Sequence, residues 1–277
     1  MSRVIALIDY DSMIYMSCYK IVSIQDIKQW IKQNQTREWM EAEILNKSIN
    51  RLCNMGDKLL ESVESSTEIQ ENGFEIMFCE YFITQCKTPI RNIYYGDYKQ
   101  NRTKNPMKKW VNKVRNYLLE SEFSCHSNEW EADDLIYDRA KELGQNECII
   151  LSIDKDLKQI PGMHFSFYKK PSKELDQNGN RIQNPMKGFF TVSKEESNYN
   201  LWLSMLTGDS TDNIKGIPGI GPKKAANIID GVDYEDAVRE SYLKAFGEGW
   251  EIEFEKNYLM LKLGVREIPK ILANAKV

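Results

Sequence analysis

Carboxylates carry most of the chemistry in this sequence. Glu131-Ala132-Asp133-Asp134 sets three acids within four residues, Asp154-Lys155-Asp156 follows an apolar run, and Gly208-Asp209-Ser210-Thr211-Asp212-Asn213 adds two more. Asp9 and Glu80 close two further apolar runs. Each group alone has an ordinary explanation. Acids at a helix start gain about 0.3–1 kcal/mol from the helix N-terminus, and Asp, Ser, Thr and Asn serve as turn and capping residues. Taken together the nine acids demand more, because crowded carboxylates repel and raise one another's pKa unless cations neutralise them. The two histidines, His126 and His164, lie outside these groups. An all-oxygen ligand set suits hard divalent ions such as Mg²⁺, with Mn²⁺ as substitute. Two such ions about 3.5–4 Å apart form a clamp for phosphodiester cleavage. The predicted ligands are Asp9, Glu80, Glu131, Asp133, Asp134, Asp154, Asp156, Asp209 and Asp212.

Two basic features complement the acids. From Tyr98 to Arg115 there are seven basic residues (Lys99, Arg102, Lys104, Lys108, Lys109, Lys113, Arg115) and no acid. A stretch of one sign suggests a phosphate-binding surface, and Tyr98, Trp110 and Tyr117 add aromatics that could stack on unpaired bases. The second feature is Ile214-Lys215-Gly216-Ile217-Pro218-Gly219-Ile220-Gly221-Pro222-Lys223-Lys224. Pro222 stands where a P-loop needs lysine, and Lys224 where a dinucleotide fingerprint needs glycine. Instead, Gly216, Gly219 and Gly221 permit tight turns with exposed N–H groups, and Pro222 suits the first turn of a helix. Helix, glycine hairpin and helix, with Lys215, Lys223 and Lys224 beside them, make a device for holding a duplex backbone without reading bases.

The elements that must position these groups follow from the apolar pattern. Val4 to Asp9, Phe74 to Glu80 and Cys148 to Asp154 are short continuous apolar runs that end in an acid. Such runs suit strands buried on both faces of a parallel sheet, whose carboxyl ends form the ligand-binding edge. Helical spacing predicts a long amphipathic helix over 38–65 and another over 131–143. Asn178-Gly179 suggests a hairpin tip. After about residue 195 the pattern becomes all-helical, with helices near 196–207, 222–230, 235–246 and 250–264. The predicted fold is α/β: a mostly parallel central sheet flanked by helices over 1–195, then a helical region over 196–277.

Composition sets the outer bounds. The 277 residues carry 37 basic and 41 acidic side chains, a formal charge of −4, and 42% are apolar, enough for a substantial core. No window approaches the roughly 18–20 apolar residues of a bilayer span. The first apolar run breaks at Asp9 without a small-residue cleavage site, which argues against a signal peptide. Six scattered cysteines with no C-x-x-C pair read as buried small residues in a reducing cytoplasm. The net acidity first argues against a nucleic-acid partner. With the nine candidate acids taken out of the 41, however, bases exceed acids by five.

At this point the motifs resemble the 5′-nucleases, specifically the bacteriophage-type flap endonucleases and 5′→3′ exonucleases. The matching segments are Leu7-Ile8-Asp9, Arg91 with Tyr98-Lys99-x-Asn101-Arg102, and Glu131-Ala132-Asp133-Asp134. Further on come Ser152-x-Asp154-x-Asp156-Leu157, Gly208-Asp209-x-x-Asp212-Asn213-Ile214-x-Gly216-Ile217-x-Gly219-Ile220-Gly221, and Asn257 to Leu263. The resemblance implies a PIN-like nuclease core. It implies a first ion on Asp9, Glu131 and Asp133, and a second on Asp154, Asp156 and Asp209 or Asp212, with Asp134 supporting. It implies a helical arch near 96–125 that passes the 5′ single strand, with Lys99 and Arg102 reaching the scissile phosphate. It also implies a helix-three-turn-helix over 201–231 that grips duplex and holds K⁺ through backbone carbonyls. Glu80 stands eleven residues before Arg91, where the family spacing is six to eight, and the segment 20–75 has no matching motif. The expected activity is Mg²⁺-dependent cleavage of DNA with 5′ flaps, nicks or ends by a monomer, extending to RNA–DNA hybrids and primer removal. The alternatives are a non-catalytic DNA-structure-binding protein and a ribonuclease on the same core.

Overall fold

In the computed structural model the described residues are 2–85, 91, 95–100, 107–121, 124–167, 171–175, 181–183 and 188–275. Arg102 and Lys104, and the Asn178-Gly179 tip, lie outside them.

The apolar runs form the centre of a six-stranded sheet ordered β3-β2-β1-β4-β5-β8. The strands are β1 (Ser2–Asp9), β2 (Phe74–Phe82), β3 (Ser124–Cys125), β4 (Cys148–Leu151), β5 (Gly162–Ser166) and β8 (Gly188–Val192). All neighbours pair in parallel except β8, which runs antiparallel to β5. A separate antiparallel pair, β6 (Pro171–Leu175) and β7 (Arg181–Gln183), flanks the expected hairpin tip. The strands centred on β1 show why continuous apolar runs were needed. Ala6, Ile8, Ile149 and Leu151 face one core cluster, while Leu7 and Ile150 face another. Period-two alternation therefore buries side chains on both faces of β1 and β4, whereas β2, expected to be buried likewise, leaves Met77 and Phe78 about half exposed.

Helices α1 (Tyr10–Cys18), α3 (Arg37–Glu64) and α5 (Lys108–Leu119) cover the first face through Met13, Ile14, Leu52, Leu59, Val63, Val111 and Val114. Helix α6 (Ala132–Leu143) covers the other through Ala132, Ile136 and Ala140. Helix α3 starts at a Thr36 N-cap and buries Ile44, Ser48, Leu52, Leu59 and Val63 at helical spacing. Helix α1 and two further short helices, α2 (Ile24–Lys32) and α4 (Thr67–Glu71), were not anticipated.

The C-terminal third is helical, with the four expected helices α7 (Lys194–Thr207), α8 (Pro222–Ile229), α9 (Tyr234–Phe246) and α10 (Trp250–Leu261), and an additional α11 (Lys270–Ala275). Trp202, Met205, Tyr242 and Phe254 lie at the centre of their cluster. Between α7 and α8 a minimal ribbon forms from β9 (Gly208–Asp209) and β10 (Ile214–Lys215). Among the described residues, no helix is long and apolar enough to cross a membrane.

Of the expected arch, residues 101–106 and 122–123 lie outside the described residues. Within 96–125, α5 lies down on α1 and α3, with Val114 fully buried. Its apolar stripe of Val111 and Val114 accounts for that packing.

Candidate active site

The site forms where β1 and β4 end. Asp9 is at once the last residue of β1 and the N-cap of α1, accepting from the Ser12 amide (3.3 Å), the Ser12 hydroxyl (2.6 Å) and the Ser152 hydroxyl (2.6 Å). Three residues past β4, Asp154 donates its amide to Ser152 Oγ (2.8 Å), and its Oδ1 accepts from the Asp156 amide (2.9 Å). On the opposite wall Glu131 is the N-cap of α6, and Asp133 lies in its first turn. From the ribbon after α7 comes Asp212. A cleft of about 720 Å³ brings together Asp9, Glu131, Asp133, Asp154, Asp156 and Asp212, with Lys99, Lys108 and Arg115 on its rim. Six of the nine predicted acids thus face one space.

The remaining three do other work. Glu80 is not part of the cleft lining: Arg139 holds its carboxylate from two directions (2.9 and 2.8 Å). Register gives the reason, because Glu80 pairs with Leu7, whereas Phe82 pairs with Asp9. Two residues of strand set it about 6.6 Å back from the edge, and the cleft position is taken by Thr84. Asp134 is buried and accepts a two-pronged bond from Arg91 (2.7 and 2.8 Å), together with the Gly264 amide (3.0 Å). Asp209 lies behind the cleft on the Lys155 ammonium (2.9 Å).

A cationic network braces Glu131. Arg91 donates to Glu131 (2.9 Å), to Asp134, and to the carbonyls of Leu259 and Lys262. Lys99 Nζ is 2.6 Å from Glu131 and 3.6 Å from Asp212. Tyr98 donates to Glu131 (2.7 Å) and Asp212 (3.3 Å). Tyr98 is only 6% exposed, so its predicted role in stacking on bases is overturned: its ring packs in the C-terminal helical cluster. Lys109 and Lys113 also differ from expectation. Both point at Glu41 of α3 (2.5 and 2.6 Å), which leaves Lys108 as the lysine of α5 that lines the cleft.

Electrostatics divides the carboxyls in two. Burial opposes ionisation of Glu131, yet Lys99 and Arg91 hold it down to about 2. Burial likewise opposes ionisation of Asp209, and the bond from Lys155 lowers it overall. By contrast, burial pushes Asp9 up to about 6 and Asp156 up to about 7, with Asp154 repelling both. Asp133 is raised by burial and then by Asp154. The half nearest Asp154 is therefore short of positive charge. Among the described residues no group of three His, Cys, Asp or Glu side chains stands close enough to hold a metal ion as placed. Mutual repulsion keeps such carboxylates apart until a cation offsets it. The donor chemistry, all oxygen and negative, fits hard divalent ions.

Beside the cleft, the glycine hairpin is set by backbone contact. A Cβ on Gly216 would run into the backbone of Thr207 and Gly208 and the Leu206 carbonyl, and one on Gly208 into Gly216 and Ile214. The close approach lets the Ile217 amide donate to Leu206 (2.9 Å). Gly219 takes a positive φ of 76°, and Gly221 caps α8, with Pro222 at its first position. Lys215, Lys223 and Lys224 are exposed.

The sequence reading missed Asp11, Ser12, Tyr15 and Thr84, which also line the cleft. Asp11 binds Arg115 (2.9 Å) and the Thr84 amide (3.2 Å). Its position two residues past Asp9 was the available signal.

With this geometry in place, comparison with known proteins is informative. Residues 5–186 match the model of the 5′-3′ exonuclease N-terminal, resolvase-like domain, and the chain belongs to that family. It is 32% identical over 155 residues to a 5′-3′ exonuclease of Mycoplasma pneumoniae, covering 53% of this chain and 51% of that one. It is 28% identical over 152 residues to the flap endonuclease Xni of Shewanella woodyi, covering 51% and 55%. The matches span about half the length of these relatives. In fold it resembles a bacteriophage T5 flap endonuclease solved with DNA and metal ions, with a TM-score of 0.54 at 14% identity over 99% of this chain and 92% of that one. The T5 5′-exonuclease with bound zinc gives 0.53 at 15% identity over the same shares.

Proposed function

We propose that this chain is a Mg²⁺-dependent, structure-selective 5′-nuclease. It would cut phosphodiester bonds in DNA bearing 5′ flaps, nicks or ends, and remove RNA primers from RNA–DNA hybrids. The observation that carries this reading is the convergence of six carboxylates and Lys99 in one cleft at the carboxyl edge of the sheet. A pure binding protein gains nothing from acids that face phosphate.

Asp9, Glu131 and Asp133 would hold one ion, and Asp154, Asp156 and Asp212 the second, with Asp209 behind them. When bound, the ions supply the positive charge that a phosphodiester needs as its leaving oxygen departs. The chain's own groups do the rest. Lys99 shares its ammonium between the scissile phosphate and Glu131, offsetting charge in the transition state. Arg102 is assigned the same role by its place in the Tyr98-Lys99-x-Asn101-Arg102 motif. Lys108 and Arg115 hold the neighbouring phosphates at the cleft mouth. The hairpin amides around Gly216, Gly219 and Gly221, with Lys215, Lys223 and Lys224, hold the downstream duplex, and K⁺ on the hairpin carbonyls belongs to the same reading.

The test is a labelled 5′-flap duplex incubated with Mg²⁺ or with EDTA. The wild-type chain should release a short 5′ product only with Mg²⁺, and Asp154→Asn should bind the duplex while losing more than about a hundredfold in rate, a larger loss than outer-shell changes cause. Cleavage by Asp154→Asn at the wild-type rate would overturn the assignment.

A further inference from the structure

We propose that a basic groove on α3, remote in sequence from every motif above, holds the single strand that continues from the cleft. This inference rests on the nuclease reading of the cleft. The groove has a volume of about 450 Å³ and is lined by Lys47, Asn50, Arg51, Asn54 and Lys58 of α3, together with Ile21 and Met55. No carboxylate is among its lining residues. Lys47, Arg51 and Lys58 recur at intervals of four and seven, so they share one helix face, with Asn50 and Asn54 between them as neutral donors. Arg51 and Lys58 are exposed. Glu43 stands 3.7 Å from Lys47, a partly exposed pair of the kind that contributes little and exchanges readily.

Continuity with the cleft argues for the occupant. Helix α1 begins at Asp9 inside the cleft, and Tyr15 lines that same cleft. One helical turn further, about 6 Å along, stands Tyr19, 47% exposed. Its carbonyl accepts from Arg51 Nη1 (2.7 Å), which joins the end of α1 to the groove. Lys20 lies over the Tyr19 ring at 5.3 Å, adding charge beside an exposed aromatic face. An aromatic platform followed by a row of cations suits an unpaired strand, with bases stacking and phosphates paired. A duplex would leave the ring without a base to stack on. The segment 20–75, which matched no motif, thereby acquires a role in holding the strand outside the catalytic space.

The experiment compares nicked-junction DNA carrying 5′ single-stranded tails of about two and about fifteen nucleotides, lengths that bracket a single-strand site. Affinity is read by fluorescence anisotropy in EDTA. The variants are Lys47→Ala/Arg51→Ala/Lys58→Ala and, because Arg51 also ties down Tyr19, Lys47→Ala/Lys58→Ala. For the long tail, the triple variant should bind about tenfold more weakly, and its salt slope should fall by about 0.7 for each phosphate that is no longer neutralised. Short-tail binding should stay within about twofold of wild type, and the double variant should show the same pattern at reduced size. Equal losses on both tails, or no loss on either, would overturn the proposal. Cleavage of the short-tailed substrate by wild type with Mg²⁺ separates the two ideas: its absence sinks the nuclease reading, whereas its presence beside unchanged long-tail binding sinks only the groove.

Discussion

Residue chemistry at this site depends on which carboxylates receive an internal cation. Arg91, Lys99 and Lys155 serve Glu131, Asp134 and Asp209, whereas Asp9, Asp133 and Asp156 are raised by burial and by the charge of Asp154. Arg91 is the keystone, since it is buried against two acids. Arg91→Ala leaves Asp134 buried without a cation, while Glu131 keeps Lys99, so urea unfolding should show a loss of about 3–5 kcal/mol. Glu80 offers the opposite test. Its carboxylate belongs to Arg139, so Glu80→Gln should cleave flap DNA within about threefold of wild type, well short of the loss expected for a ligand. A hundredfold loss in a steady-state rate assay would return Glu80 to the metal site. The acids were legible because carboxylates at strand ends and helix starts have few other reasons to recur. Glu80 was misread because the apolar run does not reveal that β2 continues to Phe82. Tyr98 was misread because a tyrosine among lysines has the same one-dimensional appearance whether it stacks on a base or donates to Glu131.

At the scale of elements, the hydrophobic periods located the three central strands, the long helix and four C-terminal helices to within a few residues. The short strands β3, β5 and β8 were missed because their apolar content is brief and their pairing is long-range. The placement of α5 was missed because the basic side chains of the segment outnumber its buried stripe of Val111 and Val114. The glycine hairpin is the element most dependent on one backbone contact. Gly216→Ala would push a methyl group into the end of α7, at a cost of about 1–3 kcal/mol. Duplex affinity measured by anisotropy should fall about tenfold, with hydrolysis of a short single-stranded substrate little changed. Equal loss in both assays would mean that the hairpin supports the fold and not the grip.

For the whole molecule, net charge was a poor guide, since many cations pair with neighbouring acids, as Lys99 with Glu131 and Arg115 with Asp11, while Lys215, Lys223 and Lys224 stay exposed. Stability against pH is more telling. His164 is buried on β5, with Nε2 2.7 Å from the Ile160 carbonyl and its ring stacked on Phe190. Burial lowers its pKa to about 4. The unfolded chain takes up a proton near pH 6.5 that the folded chain declines until about pH 4, so stability falls as pH drops through that window. The difference amounts to about 3 kcal/mol. Urea midpoints of wild type and His164→Gln should converge as pH falls from about 6.5 to 4, because the site carboxyls act on both chains alike. Parallel curves would show that His164 does not titrate in this way. The clasp between the two ends of the chain has a consequence for synthesis. Arg91 and Asp134 are held by the Leu259 and Lys262 carbonyls and the Gly264 amide, and Gln159 is tied to Leu261 and Leu263. A nascent chain still waiting for these residues on the ribosome has its acids but not the brace that sets them. On the proposed function, the site would be complete only once translation has passed Gly264, and a shorter nascent chain would be inactive.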